Sequence, residues 1–122
     1  MEFELPKRIS FEEDKKIFDD VVNGILSVMG DDAEKIILYG SVARGDNTWG
    51  SDVDIAVLTK KNYDWTAQKK LYEDLWEYDL KYCVIFSIIP IQEDNFNALK
   101  NVKLFYREII KDGIILWTKN AA

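Results

Sequence analysis

Apolar residues recur at helical spacing early in the chain: Phe18, Val21, Val22, Ile25 and Met29 share one face. Ser10-Phe11-Glu12-Glu13 precedes them and reads as a capping box, in which the serine hydroxyl and a glutamate each satisfy a free backbone N–H. With Gly30 as a stop, these signals predict a helix over about 11–29. The period then changes. Lys35-Ile36-Ile37-Leu38-Tyr39 reads as a short buried strand that Gly40 ends. Asp52 to Leu58 alternates as a second strand, with Val53, Ile55 and Val57 on one face and Asp52, Asp54 and Ala56 on the other. Asp64 is placed to cap a second helix that runs to about Asp79, its apolar surface formed by Trp65, Leu71, Tyr72, Leu75, Trp76 and Leu80. Tyr82 to Ile89 predicts a third strand ended by Pro90. From Ile91 to about Asp112 the chain reads as helical in pieces, best marked over Asn101–Lys111 and stopped by Gly113. Ile114-Ile115-Leu116-Trp117 reads as an apolar tail packed on the body.

This order predicts an α/β (α+β) fold, a small mixed β-sheet flanked by helices. No repeat, low-complexity tract or linker divides the sequence, so a single domain is expected over residues 1–122. Hydrophobic content of 48% and charged content of 31% belong to the ordinary globular class. The apolar runs fall far short of the roughly 20 residues of a membrane span. The start, Met1-Glu2-Phe3-Glu4-Leu5-Pro6, lacks the basic and apolar regions of a signal peptide, which points to the cytoplasm.

Charge and the missing residue types narrow the chemistry. A net charge of −6 gives no counterion release on DNA or RNA, which argues against general nucleic-acid binding. It serves solubility, and an anionic nucleotide remains compatible where cations neutralise its phosphates. Cys83 is the one cysteine and histidine is absent. Intrachain disulfides, cysteine-based zinc sites and nucleophiles paired with histidine are therefore excluded. Carboxylates, lysines, arginines, backbone dipoles and an oxygen-seeking metal such as Mg²⁺ remain.

One constellation fits that list. Gly40-Ser41 follows the first strand, and Asp52-Val53-Asp54 opens the second after ten intervening residues. Gly40 permits close backbone approach to a phosphate, and the Ser41 hydroxyl can donate to it. Arg44, three positions on, lies on the same face of a helical turn and offers a guanidinium fork. Gly45 breaks the turn. Asp52 and Asp54 project to one face of their strand, where two close carboxylates repel each other and a divalent cation relieves the repulsion. Ser51 is placed to orient a carboxylate. Each piece alone is common: a Gly-Ser turn, a surface arginine, an Asp-x-Asp strand start. The spacing that joins them is specific.

The combined pattern resembles the nucleotidyltransferase superfamily that includes DNA polymerase beta. Gly40-Ser41-Val42-Ala43-Arg44-Gly45 is similar to the motif of its minimal nucleotidyltransferase (MNT) branch, and the stretch Phe105–Ile114 is similar to endings in that group. The resemblance covers roughly Glu34 to Trp117. It implies a nucleoside triphosphate substrate, probed first as ATP, with two Mg²⁺ ions held by Asp52 and Asp54 as catalytic residues. It implies that Gly40 and Ser41, with Arg44 and Ser51 nearby, bind the nucleotide. Transfer of a nucleoside monophosphate to a hydroxyl acceptor would release pyrophosphate. Members of the branch often pair with a helical HEPN-domain protein as toxin and antitoxin, and some add AMP to that partner.

The superfamily usually carries a third carboxylate on the next strand. Tyr82-Cys83-Val84-Ile85-Phe86-Ser87-Ile88-Ile89 has none. Cys83 or a close neighbour is expected in its place, and Asp79 is a poorly offset substitute. Cys83 by itself reads as a small buried hydrophobe. Two functions follow from different classes: an active transferase, or a catalytically inactive nucleotide- or protein-binding module that neutralises a partner. Transfer to a small molecule ranks last, because relatives that do so carry an additional helical domain. Trp49, between the motif halves, can stack on a base or pack on the rim. Trp65, Trp76 and Trp117 are expected in the core or an interface.

Overall fold

The computed structural model describes residues 8–120. The elements run α1 (Lys15–Met29), a 3₁₀ turn (Gly30–Asp32), β1 (Ala33–Tyr39), α2 (Gly40–Arg44), β2 (Val53–Thr59), α3 (Trp65–Tyr82), β3 (Phe86–Gln92), α4 (Glu93–Leu99), α5 (Leu104–Asp112) and β4 (Ile114–Thr118). The strands form one sheet in the order β3-β2-β1-β4. β1 is antiparallel to both β2 and β4, while α3 carries the chain across to a β3 parallel with β2.

Strand alternation divides the core in two. Ile36, Leu38, Val53, Ile55 and Val57 face α1 and α3, where they meet Phe18, Val21, Ile25, Leu71 and Leu75. Ile37, Tyr39, Ala56 and Leu58 face the other way, onto Phe96 of α4 and Tyr106 and Ile109 of α5. The expected mixed sheet with flanking helices is therefore present.

Several sequence expectations need correction. Helix α1 begins at Lys15, and no capping box forms at Ser10. Instead the Asp14 carboxylate accepts the Ser10 N–H at 2.8 Å and the Asp14 N–H donates to the Ser10 carbonyl at 2.9 Å, closing a turn before the helix. Helix α3 continues past Asp79 to Tyr82, because Tyr78 and Tyr82 extend the Leu71–Leu75 stripe against the core. The third strand consequently starts at Phe86, and Cys83 ends a helix with φ 54°. Pro90 lies inside β3, which is tolerated because β3 is the outermost strand on its side and a proline there forfeits no ladder bond to β2. Finally, the apolar tail is a strand: Ile114, Ile115 and Trp117 pair with Leu38, Ile37 and Ile36.

The helix α3 cap stands as expected, with the Asp64 carboxylate accepting the Ala67 N–H at 2.9 Å. Its apolar surface does not. Leu71 and Leu75 are buried, but Trp65, Tyr72, Trp76 and Leu80 face solvent. Trp117 is half-buried against the core.

Ile55 is wholly buried between Leu38 of β1 and Ile88 of β3. Ile55→Ala is expected to lower unfolding stability by about 2–5 kcal/mol in urea, whereas Ile115→Ala on exposed β4 costs within about 1 kcal/mol. Equal losses at both positions would contradict this core.

Candidate active site

The antiparallel register of β1 and β2 ends at the pair Tyr39–Asp54. That register delivers the two motif halves to one place. Gly40 follows Tyr39 with φ 75°, a left-handed conformation that glycine adopts without strain. A Cβ built on Gly40 would lie 2.5 Å from Asp54 Oδ2, so the carboxylate rests against the glycine backbone and leaves no room for a side chain. Ser41, half-buried, is the second residue of the short helix α2 beside it. Gly45 ends that helix with φ 80°, its N–H donating to the Ser41 carbonyl at 2.9 Å.

Asp54 is half-buried and Asp52 is exposed at the mouth of the strand. Burial, and next the negative charge of Asp52, raise the Asp54 pKa, while Arg44 opposes the rise. The Asp52 charge therefore reaches Asp54. Asp79 also titrates high, through burial and the charge of Asp52, although it accepts the Phe86 N–H at 3.0 Å. Asp52 and Asp79 line a shared cavity of about 280 Å³, with Trp49, Leu80, Cys83 and Ile85 on its walls. Tyr39 is pushed up in pKa by burial and by Asp54, which keeps a neutral phenol beside the carboxylate.

The remaining sequence-predicted residues are differently engaged. The Arg44 guanidinium pairs with Asp112 of α5 at 2.9 Å and with Asp46 at 3.1 Å, so it ties α2 to α5 while remaining close enough to act on Asp54. Ser51 does not orient a carboxylate: its Oγ accepts the Thr48 N–H at 2.9 Å and closes the 48–51 turn. Cys83 does not stand in the place expected for a third acid. Parallel register puts Ser87 opposite Asp54, on the same face.

Three contributors escaped the sequence reading. Arg8 donates to the carbonyls of Gly45 and Asn47, and buried Asn47 donates to the Ile9 carbonyl at 2.8 Å. These contacts pin the connection between the motif halves to the chain start, across 37–39 residues of sequence that carry no local signal. Ser87 was visible only as a strand residue, since its pairing depends on where β3 begins.

The pair Asp52–Asp54 fits a divalent cation, for the acids share one strand face, Asp54 is half-buried and the charge of Asp52 adds to the cost of ionising it. No group of three or more histidine, cysteine or acidic side chains forms a metal cluster among the described residues. Any cation here would complete its shell with water and substrate oxygens, the habit of Mg²⁺.

A strand leading into Gly-Ser, set against paired aspartates on its antiparallel neighbour, defines a nucleotidyltransferase fold. A family model described as polymerase beta, nucleotidyltransferase, matches residues 25–122, and the chain belongs to that family. It is 33% identical over 106 residues to a chain of Methanocaldococcus jannaschii that bears the name "putative protein adenylyltransferase", covering 85% of this chain and 98% of the other. A toxin–antitoxin crystal structure with AMP-PNP superposes with a TM-score of 0.60 at 19% identity, over 84% of this chain and 74% of that one. A complex of tri-AMPylated HEPN toxin with MNT antitoxin from Shewanella oneidensis gives 0.56 at 16% identity, over 86% and 72%. The fold is thus shared with these structures, and the protein is a nucleotidyltransferase.

Asp54 supplies a pH test. Its folded pKa lies above the unfolded value, so the folded state gains from protonation: this contribution is present at low pH and is lost as pH rises through the folded pKa. Asp54→Asn is accordingly expected to melt higher than the parent at pH 7 in EDTA, with the gap closing toward pH 3. A lower melting temperature for the variant at pH 7 would contradict the geometry described.

Proposed function

We propose that the protein transfers AMP from ATP to a hydroxyl on a protein acceptor, with Mg²⁺ as the divalent cation, and that the acceptor is a HEPN-type partner. The observation that carries this reading is the Asp54 carboxylate resting on the Gly40 backbone beside Ser41. Support for AMP and for a protein acceptor comes from the name borne by the 33% identical relative. Support for a HEPN partner comes from the complex of HEPN toxin with MNT antitoxin that shares the fold.

In this reading Gly40 lets the β- and γ-phosphates approach the turn, and the Ser41 hydroxyl donates to one of their oxygens. Asp52 and Asp54 would hold the cations, which when bound neutralise the triphosphate and favour an ionised acceptor oxygen. The acceptor oxygen attacks the α-phosphorus, the bond to the β-bridging oxygen breaks, and pyrophosphate leaves. With no histidine in the chain, the acceptor's proton goes to water or to an ionised carboxylate of the pair. Arg44, held by Asp46 and Asp112, contributes positive charge near Asp54 and would turn to phosphate only by leaving those partners. Such a site works by positioning and charge stabilisation, the main needs of phosphoryl transfer.

Ser87 opposite Asp54 favours a second reading, a silent module that neutralises its partner by occlusion. The two separate in one assay. The protein is incubated with Mg²⁺, α-labelled ATP and the product of the neighbouring gene. Label is expected on the partner, reduced at least about 100-fold by Asp52→Asn or Asp54→Asn. Absence of label with all four nucleotides would overturn the transferase reading. Neutralisation of the partner that survives both variants would favour occlusion.

A gain-of-function variant probes the same point. Ser87→Asp places a third carboxylate beside Asp54 and is expected to raise label transfer several-fold at limiting Mg²⁺. Unchanged transfer would mean that the absent acid does not limit turnover.

A further inference from the structure

Helix α3 turns two unlike flanks to solvent. Trp65, Tyr72, Trp76 and Leu80 follow one another along a single stripe, at exposures of 79%, 48%, 56% and 63%. Aromatic side chains of about 150–250 Å² each make this a patch of several hundred Å², at the upper end of what monomers expose. The stripe lies beside the open edge of β3, and a shallow groove between Tyr72, Trp76, Asp79, Phe86 and Ile88 joins helix to strand. At its C-terminal end Leu80 runs into the cavity walled by Trp49, Ile85 and Asp52. The apolar surface therefore ends at Asp52, the outer acid of the candidate site.

The charges around it are mostly acidic. Glu73 and Glu77 are exposed along the outer flank, and Asp79 and Asp52 stand at the inner end. Lys69 is the one cation on the stripe itself. Lys70 and Lys81 lie on the far flank, where they pair with Asp74 at 3.3 Å and Asp20 at 2.7 Å. A second copy of this chain would bring the same carboxylates to the contact, at a net charge of −6 per copy. Charge complementarity instead selects an occupant with an apolar face rimmed by lysine or arginine.

We infer that the α3 stripe is a docking surface for an amphipathic helix with a basic rim, presented by the protein acceptor. Its identification as acceptor rests on the transferase reading above; the surface itself does not. Docking there leaves the occupant's end at the Trp49–Asp52 mouth, next to the carboxylate pair. The stripe is then the anchor that selects the acceptor, with Trp65 and Trp76 as its largest contacts.

The test uses a synthetic Leu/Lys amphipathic helix of about four turns, titrated calorimetrically onto the full chain. A Leu/Glu helix of the same pattern is the charge control. Binding of the Leu/Lys helix is expected to weaken about tenfold or more in Trp65→Gln/Trp76→Gln, to be absent for the Leu/Glu helix, and to be unchanged in Val102→Gln/Leu104→Gln, which removes exposed apolar residues elsewhere. Circular dichroism of each variant confirms the parent's fold before titration. Binding that ignores the stripe substitutions, or that is equal for both helices, would overturn the inference. So would a dimer of this chain in sedimentation that the stripe variant dissociates, because the occupant would then be a second copy. Asp54→Asn separates the two readings: it is expected to bind the Leu/Lys helix as the parent does while transferring no label. Transfer without helix binding defeats the docking surface alone, and helix binding by a parent chain that transfers nothing defeats the transferase reading alone.

Discussion

The contact between the Asp54 carboxylate and the Gly40 backbone is the constraint on which the rest of the site depends. It exists because β1 and β2 pair antiparallel with Tyr39 opposite Asp54, so the end of one strand meets the start of the other. A slip of one residue would turn both acids toward α1 and α3, into the apolar core. The buried set Val53, Ile55 and Val57 forbids that slip, since it would move all three out of the core. Core packing thus fixes the site, and the positive φ of Gly40 allows the turn to begin without a side chain in the way.

The same arrangement explains how a chain without histidine can serve phosphoryl chemistry. Two acids crowded at a strand end carry unfavourable charge, with Asp54 half-buried and titrating high. That stored repulsion favours a cation, and a cation favours a triphosphate. Ser87, rather than an acid, completes the row on β3, which is the one feature of the sheet that weakens the catalytic case. The connection between the motif halves is not left free either, because Arg8 and Asn47 bind it to the start of the domain.

Local chemistry was legible in the sequence. Gly40, Ser41, Asp52 and Asp54 announced a shared site by spacing, and Asp64 announced its helix by its position before an amphipathic run. What required the folded chain was long-range. Ser10 reads as a cap until Asp14 turns back to it. Tyr82-Cys83 reads as strand because it is aromatic and small, yet the Leu71–Tyr78–Tyr82 stripe draws Tyr82 into α3 and leaves Cys83 as its cap. Residues 114–117 read as a tail because nothing local reveals that β1 has an open edge to pair with. Trp65 and Trp76 read as core or interface on hydrophobicity alone, and only the position of α3 on the sheet shows which of its faces is covered.

The central proposal is spatial: the Gly40-Ser41 turn and the Asp52–Asp54 pair together hold a cation-bridged triphosphate. Anomalous diffraction from crystals grown with Mn²⁺ and a non-hydrolysable ATP analogue measures this directly. The account predicts manganese density bonded to carboxylate oxygens of Asp52 and Asp54, with the analogue's phosphates on the Gly40-Ser41 turn. Manganese bound elsewhere, or an analogue seated away from that turn at saturating concentration, would contradict it.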